Sequence, residues 1–330
     1  MKIESVDPSI ALGEFARQII NQNFQKIVGQ EQAVLMDQDP ESLHQMRVGM
    51  RRLRTALTIF ETAIVPSKGM TRQSIGKVAK TLGETRDLDV LEEALVKRYK
   101  PLLQKPERAT FKAVLKHLHD QRDRSFHRLE KTLQGDRYPN FKRACQSWLE
   151  QPTYTLMGHL PTLPMVPDLL LPLVSQLFLH PGWLVGTTIQ ANVAIPISLD
   201  NQTELTRQLQ DLGEILHDLR KQIKAVRYQA EFFSGFYPDI FHQRTEELKT
   251  MQDVLGSLQD NVVMHAFFDT ALTSPLSVAL PSVASYLQQE QTDFWQTWQP
   301  FQRQYLSAHF RQEWRSLLST PLEDANCPSP

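Results

Sequence analysis

Leu43–Phe60 reads LHQMRVGMRRLRTALTIF, and Leu216–Phe233 reads LHDLRKQIKAVRYQAEFF. At about 100° per residue the first stretch is an amphipathic helix. Measured from Leu43, its residues Met46, Met50, Leu53, Leu57 and Phe60 fall between roughly 260° and 360°. His44, Arg47, Arg51 and Arg54 form a row between roughly 20° and 100°, at the border of that apolar stripe. Arg52 lies near about 180°, on the side expected to face solvent. The second stretch repeats the pattern. Leu219, Ile223, Val226, Ala230 and Phe233 form its stripe. His217, Arg220, Lys224 and Arg227 form its row, with Lys221 on the flank.

The two stretches align at a constant offset of 173. The same offset carries LGETRDLDV (Leu82–Val90) onto LGSLQDNVV (Leu255–Val263) without a gap. A register kept this far predicts an internal duplication, and hence two similar helical bundles about a pseudo-two-fold axis.

Outward from these stretches, helical signals dominate. Asp7–Pro8 and Asp39–Pro40 each offer an N-cap followed by a first-turn proline. Helices are predicted over about 8–38, 40–63, 70–100, 106–134, 138–150, 168–180, 203–234, 238–272 and 282–318. Pro152, Pro161, Pro164 and Pro167 mark residues 151–167 as a linker. Residues 181–202 read as irregular with a short extended piece, and 319–330 as a loose tail. No series of strands supports a sheet, so the predicted class is all-α.

The 330 residues carry a net charge of −1. Residues 1–150 hold 26 Lys and Arg against 19 Asp and Glu, whereas residues 151–330 hold 10 against 18. A generally cationic nucleic-acid binder has no need of the acidic half, so the positive groups are concentrated on chosen faces. Two cysteines, Cys145 and Cys327, define no disulfide framework and suit a reducing compartment. The N-terminus lacks a signal-peptide core. The most apolar run, Leu169–Leu179, is too short for a bilayer and contains Pro172. These features predict a soluble cytoplasmic chain with no membrane partner.

Like charges at helical spacing repel. The first row has no acid at i+4 to neutralise it, and the row occurs twice, which points to an anionic partner. Each row spans about 15 Å, too long for one phosphate. Arg and Lys suit an extended series of phosphate oxygens. Tyr228 is the only aromatic near a row that could stack a base. Arg86 falls in the apolar arc of Ile75, Val78, Leu82 and Val90. Arg122 falls in the arc of Phe111, Leu115, Leu118, Phe126, Leu129 and Leu133. A core-facing guanidinium needs a partner: an internal carboxylate such as Asp87 or Asp260, or a polyanion. Lys80 lies further round, and Lys77, Arg124, His127 and Arg128 point away.

Catalytic signatures are missing: there is no G-x-x-x-x-G-K-[ST] and no H-E-x-x-H. Glu84, Asp87, Asp89, Glu92 and Glu93 spread over several helix faces and make no metal pair. His119 and Asp123 are spaced i,i+4 without a third ligand. No catalytic residue, metal or cofactor is expected. RNA also presents a row of phosphates, so charge alone leaves a nucleic-acid or protein adaptor open.

The repeated H-x-x-R helix followed by LG-x-x-x-D, together with DRYPNFKRACQSWL (Asp136–Leu149), resembles the CHAD family, the conserved histidine α-helical domain. The resemblance covers about 8–318, with 8–150 and 168–318 as its two halves. It implies two four-helix bundles with pseudo-two-fold symmetry and a basic central channel that binds inorganic polyphosphate, often at polyphosphate granules. By motif match it implies His44, Arg47, Arg51, Arg54, His217, Arg220, Lys224 and Arg227 as ligands, with Lys221 beside them. Members are often fused to, or encoded beside, polyphosphate-metabolising enzymes or triphosphate-tunnel hydrolases. The tunnel signature E-x-E-x-K is absent, as in a stand-alone member. Two departures weaken the second cationic wall: Gln259 stands where the first copy has Arg86, and YLQQEQTDFWQTWQPF (Tyr286–Phe301) holds no Lys or Arg.

Overall fold

Apolar residues at helical spacing become helices almost throughout the computed structural model, which describes residues 7–196 and 202–322. The described chain divides into two compact units, one of residues 9–162 and one built mainly from residue 163 onward.

The first unit is α1 (Leu12–Met36), α2 (Pro40–Ile59), α3 (Arg72–Ala94), α4 (Glu107–Gln134) and α5 (Arg137–Glu150). Asp39 caps α2 by accepting a hydrogen bond from the Glu41 N–H, with Pro40 in the first turn, as its sequence predicts. Asp7 and Pro8 do not start α1. Its N-cap is Ala11, because residues 10–12 run extended beside residues 160–162. There Leu12 N–H donates to Leu160 O, and Thr162 N–H to Ile10 O, each at 2.9 Å. The end of α2 moves for a similar reason. It stops at Ile59, short of the predicted Ala63, and residues 63–65 pair with 153–155 through Val65 N–H to Thr153 O and Thr155 N–H to Ala63 O. The first part of the predicted linker is thus hydrogen-bonded into the first unit.

The rest of that linker is helix. In the second unit α6 (Thr162–Phe178) takes in Pro164 and carries Pro167 and Pro172 internally. Its buried face is Val166, Leu170, Val174, Leu177 and Phe178. Thr162–Leu184 is long and apolar enough to cross a membrane by length and composition, which exceeds the run predicted from Leu169–Leu179. A tight turn, Pro181–Leu184, leads into the hairpin β1 (Thr187–Gln190) and β2 (Val193–Pro196), paired Thr187 to Pro196. Then follow α7 (Gln202–Phe232), α8 (Asp239–Ala271), the single turn α9 (Leu276–Ala279), α10 (Pro281–Leu306) and α11 (Ala308–Ser319). The predicted helix over 282–318 is two helices, because Ser307 is extended and its hydroxyl caps α11 at Phe310 N–H. Past α11 the chain stays attached through Leu322 N–H to Phe236 O. Residues 323–330 of the predicted tail, Cys327 included, lie outside the described residues. Cys145 is buried and free.

The second core is rich in aromatics. Trp183 stacks on Trp298, centroids 5.3 Å apart, and on Tyr305 at 4.8 Å. Its indole N–H donates to Leu177 O. The Gln302 amide donates to the carbonyls of Trp183 and Val185 and locks the turn to α10.

Candidate anion-binding site

The basic rows are positioned by their apolar stripes. Leu43, Met46, Met50, Leu53 and Leu57 on α2 and Phe60 just past its end are all buried, and so are Leu216, Leu219, Ile223, Val226 and Ala230 on α7 and Phe233 just past its end. These twelve residues are six pairs at the offset of 173. With the stripe buried, helical geometry places each row at its edge.

In the first unit His44, Arg47 and Arg51 are half-buried and Arg54 is exposed. Arg52, predicted to be solvated, is half-buried like Arg51. Lys80 is exposed on α3. The Arg47 guanidinium lies over Gly83 of α3, with Nε, Nη2 and Cζ 3.7–3.9 Å from where a Cβ would stand. Its Nη1 meets Asp87 Oδ1 at 2.9 Å, one turn further along α3. Burial lowers the pKa of Arg47, and Asp87 opposes the shift. Burial also lowers the pKa of His44; Glu41 opposes the shift, while Arg86, Arg51 and Arg47 add to it.

The second unit repeats the central contact. Arg220 lies over Gly256 of α8, and its Nε donates to Gln252 O at 3.4 Å. Burial lowers the pKa of His217, Lys221 and Arg220 add to the shift, and Asp218 opposes it. Lys221 pairs with Asp218 at 2.5 Å on the exposed flank. Arg227 departs from the pattern predicted for its row. It is 8% exposed, pairs with Glu231, donates to Gln252 Oε1 at 3.2 Å and lies 4.2 Å from the Tyr228 ring centroid. Tyr228 itself is buried, so the aromatic that could have stacked a base packs inside.

The two core-facing arginines take an internal carboxylate that their sequence pattern missed. Asp89, 6% exposed, occupies the face predicted for Val90, which is exposed instead. Arg122 Nε donates to Asp89 Oδ1 at 3.0 Å, and its two terminal nitrogens grip Asp37, the left-handed residue that ends α1. Those carboxylates raise the Arg122 pKa against the effect of burial. Burial raises the pKa of Asp89, opposed by Arg122 and Arg86. Arg86 is the looser partner: Nη1 is 4.0 Å from Asp89 Oδ2, and Nε is buried with no hydrogen-bond partner. Asp87 serves Arg47 and not Arg86. At the offset of 173 the cluster becomes Gln259, Val262 and Trp295, with Trp295 1% exposed.

His119, weighed above as a metal ligand with Asp123, instead meets Glu92 at 2.8 Å across α3 and α4. Among the described residues no group of three or more His, Cys, Asp or Glu is placed to hold a metal ion. A cavity of about 810 Å³ in the second unit has His217, Gln259, His265 and Asp269 in its walls. The residue aligned with Arg86 thus opens onto a space shared with the row histidine.

These helices define a class: all-α units that carry a partly buried His and Arg row beside an apolar stripe. The CHAD domain family matches residues 18–269, and the chain belongs to that family. The structure is similar to the crystal structure of the CHAD domain from the plant Ricinus communis, at 21% identity over 97% of both chains and a TM-score of 0.58. It is also similar to PptA from Streptomyces chartreusis, at 17% identity over 92% of this chain and 99% of that one, with a TM-score of 0.61. No curated protein matches the sequence.

Proposed function

We propose that the chain binds inorganic polyphosphate along its basic rows, one in each unit, and that it acts by binding rather than by catalysis. One observation carries the reading: in each unit the row arginine lies against a glycine of the neighbouring helix, Arg47 against Gly83 and, more tightly, Arg220 against Gly256. The two settings match at the offset of 173, which supports a shared role for Arg47 and Arg220 beyond that of surface charges. Arg51, Arg54, Lys80 and Lys224 extend the contact along the phosphates, and Arg86 meets the chain beside His44. Arg122, whose guanidinium is shared between Asp89 and Asp37, and Arg227, 8% exposed and held by Glu231 and Gln252, support the helices rather than the ligand. The wider setting is the cytoplasm, at polyphosphate granules, beside enzymes of polyphosphate metabolism.

A row of about 15 Å selects for length. Calorimetric titration with phosphates of graded length should show affinity rising steeply from pyrophosphate to long chains. Competition with single-stranded RNA tests the other phosphate polymer. Equal affinity for ATP and long polyphosphate, or displacement by RNA at equal charge, would defeat the proposal.

A further inference from the structure

Gly83 and Gly256 sit inside long helices, where glycine costs about 1 kcal/mol relative to alanine. Their backbone does not ask for glycine: among the described residues, the only glycine with positive φ is Gly186. Space does. A Cβ on Gly256 would come within 2.7 Å of Arg220 Nη2, 3.1 Å of Nε and 3.2 Å of Cζ. Those three atoms of one guanidinium are its nearest neighbours. At Gly83 the nearest three atoms are again one guanidinium, that of Arg47, at the looser spacing of 3.7–3.9 Å. Each arginine is also anchored one helical turn from its glycine, Arg47 by Asp87 and Arg220 by the Gln252 carbonyl. An arginine held this way has surrendered much of its rotamer freedom before any ligand arrives, which strengthens binding by pre-organisation.

We infer that Gly256 is a positioning residue: its missing side chain is the bed that fixes the Arg220 guanidinium for a phosphate chain, and Gly83 is the looser bed of Arg47. The inference rests on the polyphosphate reading above. Gly256→Ala displaces the guanidinium, because the new methyl comes within 3.2 Å of three of its atoms and within 2.7 Å of Nη2. Gly83→Ala meets ordinary van der Waals spacing and leaves Arg47 nearly in place.

The test sets stability against affinity. Alanine in a helix interior stabilises, so Gly256→Ala should melt at or above the wild-type temperature while long polyphosphate binds about fivefold to tenfold more weakly, the share of one ordinary hydrogen bond, since the displaced guanidinium keeps its charge. Gly83→Ala should lose less. Gly29→Ala, whose Cβ meets nothing within 4 Å on α1, should bind as wild type does. In the ligand-free protein the Arg220 Nε–H resonance should move in Gly256→Ala. Wild-type affinity in Gly256→Ala with that resonance unmoved overturns the inference. A wild type that ignores polyphosphate overturns the proposed function alone, and the resonance still decides the bed. Should Gly256→Ala fail to fold, the Arg220→Ala/Gly256→Ala double variant must recover the stability of Arg220→Ala; failure to recover also overturns the inference.

Discussion

Arg122 separates a structural arginine from a ligand-facing one, and the contrast can be measured. Its side chain is 15% exposed, and its partners Asp89 and Asp37 are 4% and 31% exposed. Arg122→Met keeps the length of the stem and removes the charge. It leaves the Asp89 carboxyl buried with only Arg86 Nη1 at 4.0 Å to compensate. Stranding one partner of a buried pair costs about 3–5 kcal/mol. Asp37 can rehydrate and Arg86 remains, which holds the loss near the lower bound, about 3 kcal/mol. Asp89→Asn removes the stranded charge, so the Arg122→Met/Asp89→Asn variant should recover part of that loss, with a coupling of about 1–3 kcal/mol in the double-mutant cycle. Urea denaturation followed by far-ultraviolet circular dichroism gives the four stabilities. Calorimetry on the folded variants should give polyphosphate affinities within about twofold of wild type, since an arginine that does not touch the ligand contributes only screened long-range attraction. Unchanged stability with a tenfold loss of affinity would refute the assignment and make Arg122 a ligand contact.

Other consequences follow from the same geometry. Burial holds His44 and His217 below 6.5, so the unfolded chain takes up protons first and the free protein loses stability as pH falls through about 6.5. A bound polyanion favours the imidazolium, so polyphosphate affinity should rise over the same descent; a His44→Ala/His217→Ala variant with the wild-type pH slope would exclude these histidines. Arg51→Ala and Lys224→Ala should each cost on the order of 1–3 kcal/mol of binding, and Arg52→Ala under about 1 kcal/mol. Because Arg51 and Arg52 are both half-buried, each affinity must be read beside a thermal melt; equal binding losses would mean a diffuse surface interaction. Arg227→Ala should lower stability by about 1–3 kcal/mol through the Glu231 and Gln252 contacts, and should cost less affinity than Lys224→Ala; the reverse order in titration would place Arg227 on the ligand. Binding should weaken linearly in log affinity against log salt as counterions are displaced.

Much of this was legible because helices write a period into sequence. The stripe of α2 and its copy on α7 needed only spacing, and the Asp39–Pro40 start only the chemistry of a cap. Places where distant segments compete for the backbone were not legible. Ala11 displaced Asp7 as the start of α1 because residues 160–162 take its backbone groups, and Ser307 divides a run whose apolar spacing continues across it. The proline cluster misled for another reason: proline costs little where an N–H would be unsatisfied, so Pro164 sits in the first turn of α6. At the site, polarity hid Asp89. A carboxylate on an inward face looks like an error of register until Arg122 of α4 is brought to it, beside Arg86 one turn away on α3. Glycine was visible as half of the LG motif, but its purpose lay in an arginine on another helix.

The aromatic core of the second unit has a spectroscopic consequence. Of the five tryptophans, Trp183, Trp295, Trp298 and Trp314 lie in that unit, each 1% exposed or less, and only Trp148 lies in the first. Intrinsic emission therefore reports the second unit four to one, from indoles shielded from water and, for Trp183, in face contact with two other rings. Backbone dichroism weighs both units by their helices. If the units melt separately, fluorescence and dichroism traces of one sample will part, and the fluorescence curve will belong to the half that carries Arg220.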